Sequence, residues 1–278
     1  MQRPFAQVDV FTDRPTAGNP VAVVCDGDGL DDATMAAFAR WTNLSETTFV
    51  QTPIEPAADY RLRIFTPTGE LPFAGHPTLG SAHAWLERSG TTRRQIVQEC
   101  GIGLVEIRRD GERLAFAAPD LRRGGPVEDH VLDRVVAALR LSPEQVIGAD
   151  WVDNGPPWIG VRLASAQDVL DLRPDNESLG ALMVGVVGAY PDGGGPDGAA
   201  VEVRAFAPGV GVPEDPVTGS LNAGLAKWLR AAGHVPSRYV ASQGTALGRA
   251  GRVFVHDDDT DIWIGGQSVT VVSGTVEL

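Results

Sequence analysis

The sequence predicts an α/β (α+β) chain of two similar halves, and three observations carry that reading. Short β-branched or alternating runs recur along the chain, and each half offers several of them before one helix opened by a small or polar residue, Pro77–Leu86 and Ser220–Ala232. Pro119, Gly124, Gly125 and Pro126 cluster within Ala118–Val127 and break the chain near its middle. A faint internal repeat links the halves: Gly90 follows Ala84-Trp85-Leu86 and Gly233 follows Lys227-Trp228-Leu229, each glycine five residues after its tryptophan. Aligned on those tryptophans, Gly75-His76-Pro77 falls opposite Thr218-Gly219-Ser220. Chance recurrence of so short a spacing is the competing explanation.

Taken in order, Met1–Val10 alternates and opens the chain as a strand. Val8–Thr12 and Val21–Val24 then flank a turn at Ala17-Gly18-Asn19-Pro20. Asp31–Arg40 predicts a helix that faces a core with Met35, Phe38 and Ala39, capped by Asp31 or Asp32. Thr47–Gln51 and Tyr60–Phe65 read as strands. The helix Pro77–Leu86 follows, with Gly90 as its stop. Gln95–Cys100, Gly103–Arg108 and Arg113–Ala117 are strand-like and lead to the linker at Ala118–Val127. Beyond it, Val131–Leu139 is helical and Ser142-Pro143-Glu144 has the form of a helix start. Trp158–Leu163, Leu182–Val187 and Val201–Phe206 predict strands. Pro191–Gly198 is glycine-rich enough to predict a mobile hairpin tip. The helix Ser220–Ala232 and three short strand-like runs close the sequence.

Composition narrows the function classes. At 278 residues, 43% hydrophobic and 21% charged, the chain can bury a sizeable core. A net charge of −13 and the lack of a basic stripe argue against a nucleic-acid partner. No apolar run approaches the roughly 20 residues of a membrane span, and the alternating start containing Asp9 lacks the pattern of a signal peptide. Cys25 and Cys100 stand alone, outside any C-x-x-C motif. Reduced, buried thiols and a cytoplasmic location are the expectation, with a single disulfide as the other reading.

Two helices that each begin at a tight glycine-containing turn suggest two anion sites, since a helix start presents free N–H groups and the positive end of the dipole. The first lies in Phe73-Ala74-Gly75-His76-Pro77-Thr78, with Pro77 at an N1-like position; the second lies in Glu214-Asp215-Pro216-Val217-Thr218-Gly219-Ser220. Ordinary capped helices are the plainer reading of both. Glu46, in Asn43-Leu44-Ser45-Glu46-Thr47-Thr48-Phe49, is a carboxylate at the entry of an apolar strand. Burial there would bring its pKa toward neutrality, as a general acid/base requires; a turn cap or an arginine partner is the alternative. His76 suits substrate orientation or proton sharing, or a structural role before proline. His83 lies seven residues on, but no third ligand at a metal-site spacing follows. No phosphate loop, nucleotide fingerprint or nucleophile elbow occurs, so the chemistry expected here uses side chains alone. Trp151, Trp158, Tyr190 and Phe206 are candidates either for cleft lining or for the core.

More specific are Asp9-Val10-Phe11, Gly18-Asn19-Pro20-Val21-Ala22-Val23, Asn43–Val50, Arg63-Ile64-Phe65-Thr66-Pro67, Glu70–Gly80, Glu214–Ser220, Gln243-Gly244 with Gly248-Arg249, and Ile264-Gly265-Gly266. In this order, over essentially the whole chain, they resemble the PhzF-like group of the diaminopimelate-epimerase fold, named for the phenazine-biosynthesis isomerase. The resemblance implies two pseudo-symmetric domains, each a curved, mostly antiparallel sheet around a central helix, with the active site between them. We place the domains at 1–118 and 128–267, with a strand near 268–278 packing back on the first.

The resemblance further implies an isomerase without metal, flavin or other cofactor, acting on a small-molecule carboxylate as a homodimer. It assigns Glu46 as general acid/base, with His76, Asp215 and Ser220 as catalytic partners. Gly75, Gly219, Thr218 and Asn19 are carried over as substrate-binding. The expected reaction is a proton and double-bond shift in a compound such as a dihydro-hydroxyanthranilate. C–C bond hydrolysis, epimerisation and non-catalytic binding of a small molecule are the alternatives. Two-thiol racemases of this fold carry a cysteine at each helix start. Those places hold Gly75-His76 and Thr218-Gly219-Ser220 here, which disfavours that chemistry.

Overall fold

A computed structural model describes residues 1–278, and the chain divides into two compact units. Unit 1 comprises Met1–Ala117 with Gly265–Leu278, and unit 2 comprises Ala118–Ile264.

Unit 1 runs β1 (Gln2–Val10), β2 (Asn19–Val24), α1 (Asp32–Thr42), β3 (Thr47–Gln51), β4 (Tyr60–Thr66), β5 (Gly69–Leu71), α2 (Gly75–Ser89), β6 (Gln95–Cys100), β7 (Gly103–Asp110) and β8 (Arg113–Ala117). Unit 2 runs β9 (Arg123–Pro126), α3 (Asp129–Ala138), β10 (Gly148–Asp153), β11 (Trp158–Leu163), α4 (Ala166–Leu170), α5 (Asn176–Leu179), β12 (Met183–Ala189), β13 (Val201–Ala207), β14 (Val212–Asp215), α6 (Gly219–Ala231), β15 (Arg238–Gln243), β16 (Gly251–Asp257) and β17 (Ile262–Gly266). The last strand, β18 (Ser268–Glu277), returns to unit 1 and pairs antiparallel with β1 along its whole length.

The sheet of unit 1 has the order β18-β1-β2-β3-β4-β6-β7-β8. Its pairs are antiparallel except for β2/β3 and β4/β6. The hairpin strand β5 pairs with β4. One helix, α2, lies against strands from one end of that order, β18, to the other, β8, so the sheet curls around it. Residues 75–82 and Ala84 of α2 are buried, as a helix inside a curled sheet requires, in place of the single apolar stripe of a surface helix. Small residues make the fit. A Cβ on Gly80 would fall 2.4 Å from Val21 Cγ1, so only glycine lets the helix approach the sheet this closely. Buried hydroxyls are matched in pairs, with Ser81 Oγ 2.8 Å from Thr48 Oγ1 and Gln98 Nε2 donating to Thr78 Oγ1 at 3.1 Å. Beneath α1, Met35, Phe38 and Ala39 join Val24, Phe49 and Phe65 in an aromatic core cluster.

In unit 2 the same plan recurs. β9, β10 and β11 pair antiparallel, β11 and β12 parallel, β12 and β13 antiparallel, β13 and β15 parallel, and β15 and β16 antiparallel, with β14 as the hairpin strand on β13. The helix α6 follows the hairpin strand, as α2 does. It packs on β10, β11 and β16, and a Cβ on Gly224 would fall 2.4 Å from the Val152 carbonyl oxygen.

The duplication runs one step out of the register that the tryptophans suggest. Aligning the observed helix starts, Gly75 on Gly219, sets Gly80 opposite Gly224 and Trp85 opposite Leu229. Glu70-x-Pro72 then matches Glu214-x-Pro216, and upstream Arg63-x-Phe65-x-Pro67 matches Arg204-x-Phe206-x-Pro208 after a three-residue difference in the hairpin. The tryptophans instead serve local packing: Trp85 stacks on Tyr60 at 5.4 Å, and Trp228 lies over Gly160.

Other departures from expectation have local causes. Arg123–Pro126, inside the segment read as a linker, is the strand β9 because it pairs with β10 despite its glycines. Four strands follow α6 where three runs were expected. α2 begins at Gly75, so Pro77 is its third residue; its missing N–H still falls in the first turn, where no helical acceptor exists. The glycine-rich Pro191–Gly198 segment folds as two one-turn 3₁₀ helices, and Arg252 Nε reaches across to Asp197 at 2.9 Å.

Candidate active site

The residues singled out by sequence fall into two clusters, one per unit. In unit 1, α1 ends on Asn43 in the left-handed conformation, and the short bend that follows delivers Glu46 to the start of β3. The two residues after it, Thr47 and Thr48, are fully buried and anchored, Thr47 Oγ1 lying 2.7 Å from Thr42 Oγ1 and Thr48 Oγ1 donating to the Ala22 carbonyl. Glu46 is thus set at the mouth of a rigid strand. Its side chain is 15% exposed, and its Oε2 lies 3.3 Å from His76 Nε2. Burial pushes its pKa up to about 7, against a weaker opposing hydrogen bond from Ser45. The carboxyl therefore exchanges between its two protonation states near neutrality.

His76 is the second residue of α2 and is buried. Its Nδ1 is 3.4 Å from the amide nitrogen of Asn19, itself buried at the start of β2. His76 thus has Asn19 on its Nδ1 side and Glu46 on its Nε2 side. Ala74 stands at the N-cap of α2 and no side chain caps the helix. By contrast α1 is capped in the ordinary way, the Asp31 carboxylate accepting from the Thr34 N–H at 2.8 Å.

In unit 2, β14 ends on Asp215. Its neighbour Glu214 receives both Arg204 Nε and Nη2 at 2.8 Å, and Arg204 Nη1 donates to the carbonyls of Val169 and Leu172. Both partners are largely buried, so the strand is fixed by a two-pronged charged pair just before Asp215. Thr218 is the N-cap residue of α6, a residue type that normally caps. Its hydroxyl instead bonds Asp215 Oδ2 at 2.5 Å, and α6 has no side-chain cap. Gly219 and Ser220 begin the helix. Ser220 Oγ accepts from Trp158 Nε1 at 3.0 Å, and its carbonyl accepts from Asn154 Nδ2 at 2.8 Å. Asn154 Oδ1 is buried without a hydrogen-bond partner.

In neither helix does the N-cap residue's own side chain cap the start, and each start adjoins a carboxyl. The structure brings Glu46, His76, Gly75 and Asn19 together in unit 1, and Asp215, Thr218, Gly219 and Ser220 together in unit 2. Of the four aromatic candidates, Trp158 touches this second cluster. Trp151 and Phe206 belong to the core of unit 2, and the Tyr190 hydroxyl donates to Glu202 Oε2 at 2.9 Å. Three polar partners had no assigned role in sequence: Asn154, Gln243 and Arg204. The signal for Gln243 was a lone amide ending an otherwise apolar strand, and for Arg204 a charge inside the alternation of β13. His83 turns to Thr270 and Glu87. No three or more His, Cys, Asp or Glu side chains converge on one point. Cys25 and Cys100 are free thiols away from both helix starts, and burial raises the pKa of each. No helix is long and apolar enough to cross a membrane.

Comparisons with known proteins cover nearly the whole chain. A sequence model of the phenazine biosynthesis-like protein family, PhzC-PhzF, matches residues 8–274. Antisense-enhancing sequence 1 of Schizosaccharomyces pombe is 37% identical, the match covering 97% of each chain. The trans-2,3-dihydro-3-hydroxyanthranilate isomerase of Pseudomonas chlororaphis is 32% identical over 99% of each. Among solved structures, a PhzF-family phenazine biosynthesis protein of Enterococcus faecalis superposes with a TM-score of 0.83 at 26% identity, covering 100% of both chains.

Proposed function

This chain belongs to the phenazine biosynthesis-like family and is an isomerase, and on that premise we propose that it moves a proton and a double bond within a small unsaturated carboxylate such as a dihydro-hydroxyanthranilate. The observation that carries the proposal is Glu46, a buried carboxyl held against His76 and shifted by its surroundings to a pKa of about 7. A group that must take a proton from carbon and then give it back works best when its pKa lies near the working pH.

In the proposed cycle Glu46, as carboxylate, removes a proton from a carbon next to the unsaturated system, and the electron pair of that C–H bond spreads through the conjugated chain. Protonated Glu46 then returns the proton to a different carbon, and the double bonds settle in their new positions. Atoms and electrons balance without a co-reactant. The His76 ring stays against the carboxyl, its Nε2 3.3 Å from Glu46 Oε2. The start of α2, with the positive end of the helix dipole, is suited to negative charge building on the substrate. Asp215 and Ser220 are assigned assisting roles on the motif they share with the family.

The test is proton NMR of the purified protein with trans-2,3-dihydro-3-hydroxyanthranilate in deuterated water, beside Glu46→Gln. Conversion in the wild type alone is the expected result, with no change of mass beyond any deuterium that enters at carbon when protonated Glu46 exchanges with solvent before the return. Equal turnover by Glu46→Gln would sink the assignment of Glu46. A product differing by the mass of water would replace isomerisation by hydrolysis.

A further inference from the structure

Gln243, the last residue of β15, is fully buried, and both ends of its side-chain amide are engaged. Its Oε1 accepts from the Thr218 backbone N–H at 3.0 Å and from Asn222 Nδ2 at 2.8 Å. Asn222 Nδ2 also donates to the Thr218 carbonyl at 2.9 Å, so it is identified as a nitrogen independently of Gln243. Since both groups facing Oε1 only donate, the amide of Gln243 has one orientation and its nitrogen points the other way. There Nε2 donates to the Asp215 backbone carbonyl at 3.0 Å and to Thr218 Oγ1 at 2.9 Å. Thr218 Oγ1 is thereby an acceptor, and its single hydrogen is left to point at Asp215 Oδ2, 2.5 Å away. The directions of all these bonds follow from which atoms can donate.

We infer that Gln243 is a positioning residue which, acting through Thr218, fixes the orientation of the Asp215 carboxyl toward the substrate. The diversion of the Thr218 hydroxyl away from the helix start it would ordinarily cap is a second sign of this arrangement. With Oδ2 tied to the Thr218 hydroxyl, the Asp215 carboxyl is held in one orientation. This inference rests on the family reading in one respect, that Asp215 faces the substrate.

The experiment compares kcat and KM for the wild type, Thr218→Val, Thr218→Ser, Gln243→Leu and the Thr218→Val/Gln243→Leu pair, with thermal unfolding run alongside. Breaking either link should lower kcat by about 10–100-fold with KM changed by no more than about threefold, the size expected for hydrogen bonds to a charged group. The double variant should lose no more than the worse single one, because both remove one chain of bonds. Thr218→Ser, which keeps the hydroxyl, should recover most of the rate. Full kcat in folded Thr218→Val, or losses that multiply in the double variant, would overturn the inference. Thr218→Val nearly preserves side-chain shape and carries the test if Gln243→Leu does not fold. If the wild type itself does not turn over the chosen compound, it is the substrate reading that has failed. The bonding chain is then judged by NMR of the Gln243 side-chain amide. Two slowly exchanging protons are expected, one of which loses protection in Thr218→Val. A freely exchanging pair in the wild type would overturn it.

Discussion

The two units repeat one scaffold and treat their acids in opposite ways. In unit 1, Glu46 is buried beside a histidine with little hydrogen bonding to favour its charge, and its pKa rises to about 7. In unit 2, Asp215 is surrounded by donors and locks: the Thr218 hydroxyl, the Gln243 amide and the Arg204–Glu214 pair next door. Two carboxyls whose environments differ this way are suited to different tasks. Duplication supplied the same turn twice, and the residues behind each turn divided the work.

The comparison breaks most directly at Glu46. Glu46→Gln keeps the shape and removes the titrating group, and kcat should fall by about 10²–10⁴-fold, read by the same NMR assay. Next is the matched pair of arginines. Arg204 and Arg63 occupy equivalent places, and each grips a glutamate with two bonds, but the side chains of Arg204 and Glu214 are 6% and 13% exposed while Glu70 is 42% exposed. Arg204→Met should destabilise unit 2 by about 3–5 kcal/mol in urea unfolding, because Glu214 is left as a buried charge without its partner.

A third test uses pH. Folded Glu46 titrates near 7 while the unfolded chain titrates near its ordinary value of 4.5. Below about 4.5 both forms are protonated and this group imposes no penalty. As pH rises from there to about 7 the unfolded chain releases the proton that the folded protein keeps, so stability falls; above about 7 the loss is complete. It should be on the order of 3 kcal/mol, and Glu46→Gln should melt with a flatter pH dependence and be more stable than the wild type at pH 8. The smallest effect sharpens the arginine comparison. Arg63→Met should change stability by no more than about 1 kcal/mol, since its partners are well solvated. A loss there equal to that of Arg204→Met would remove exposure as the reason for the difference.

Much of the fold was legible because its signals are local. The alternation of Tyr60–Phe65, the core stripe of Asp31–Arg40 and the glycine stop at Gly90 each depend on neighbouring residues alone. What escaped depends on partners far along the chain. β9 looks like a linker because Gly124 and Gly125 have poor strand propensity, Gly125 even sitting at a φ of 94°, and only pairing with Trp151 and Val152 makes the segment a strand. β5 and β14 are too short to show a period, and α4 and α5 span about one turn each. The repeat was visible, but in the wrong register, because tryptophans on a helix surface are free to drift. The glycines pressed against the sheet, Gly80 and Gly224, are not. In the same way the motifs exposed Glu46, His76, Asp215 and Ser220. Gln243 stood in a quoted motif as well, but its bonds to Thr218 and Asn222 join residues far apart in the chain and leave no local signal.

The return of β18 to β1 also orders events during synthesis. Unit 2 is one unbroken stretch, whereas unit 1 is divided and takes its outermost strand from residues 268–277. In synthesis β1 precedes β18 by the whole of unit 2, so its outer edge stays bare until β18 has followed. The unit that is translated second is therefore the one that can finish folding first.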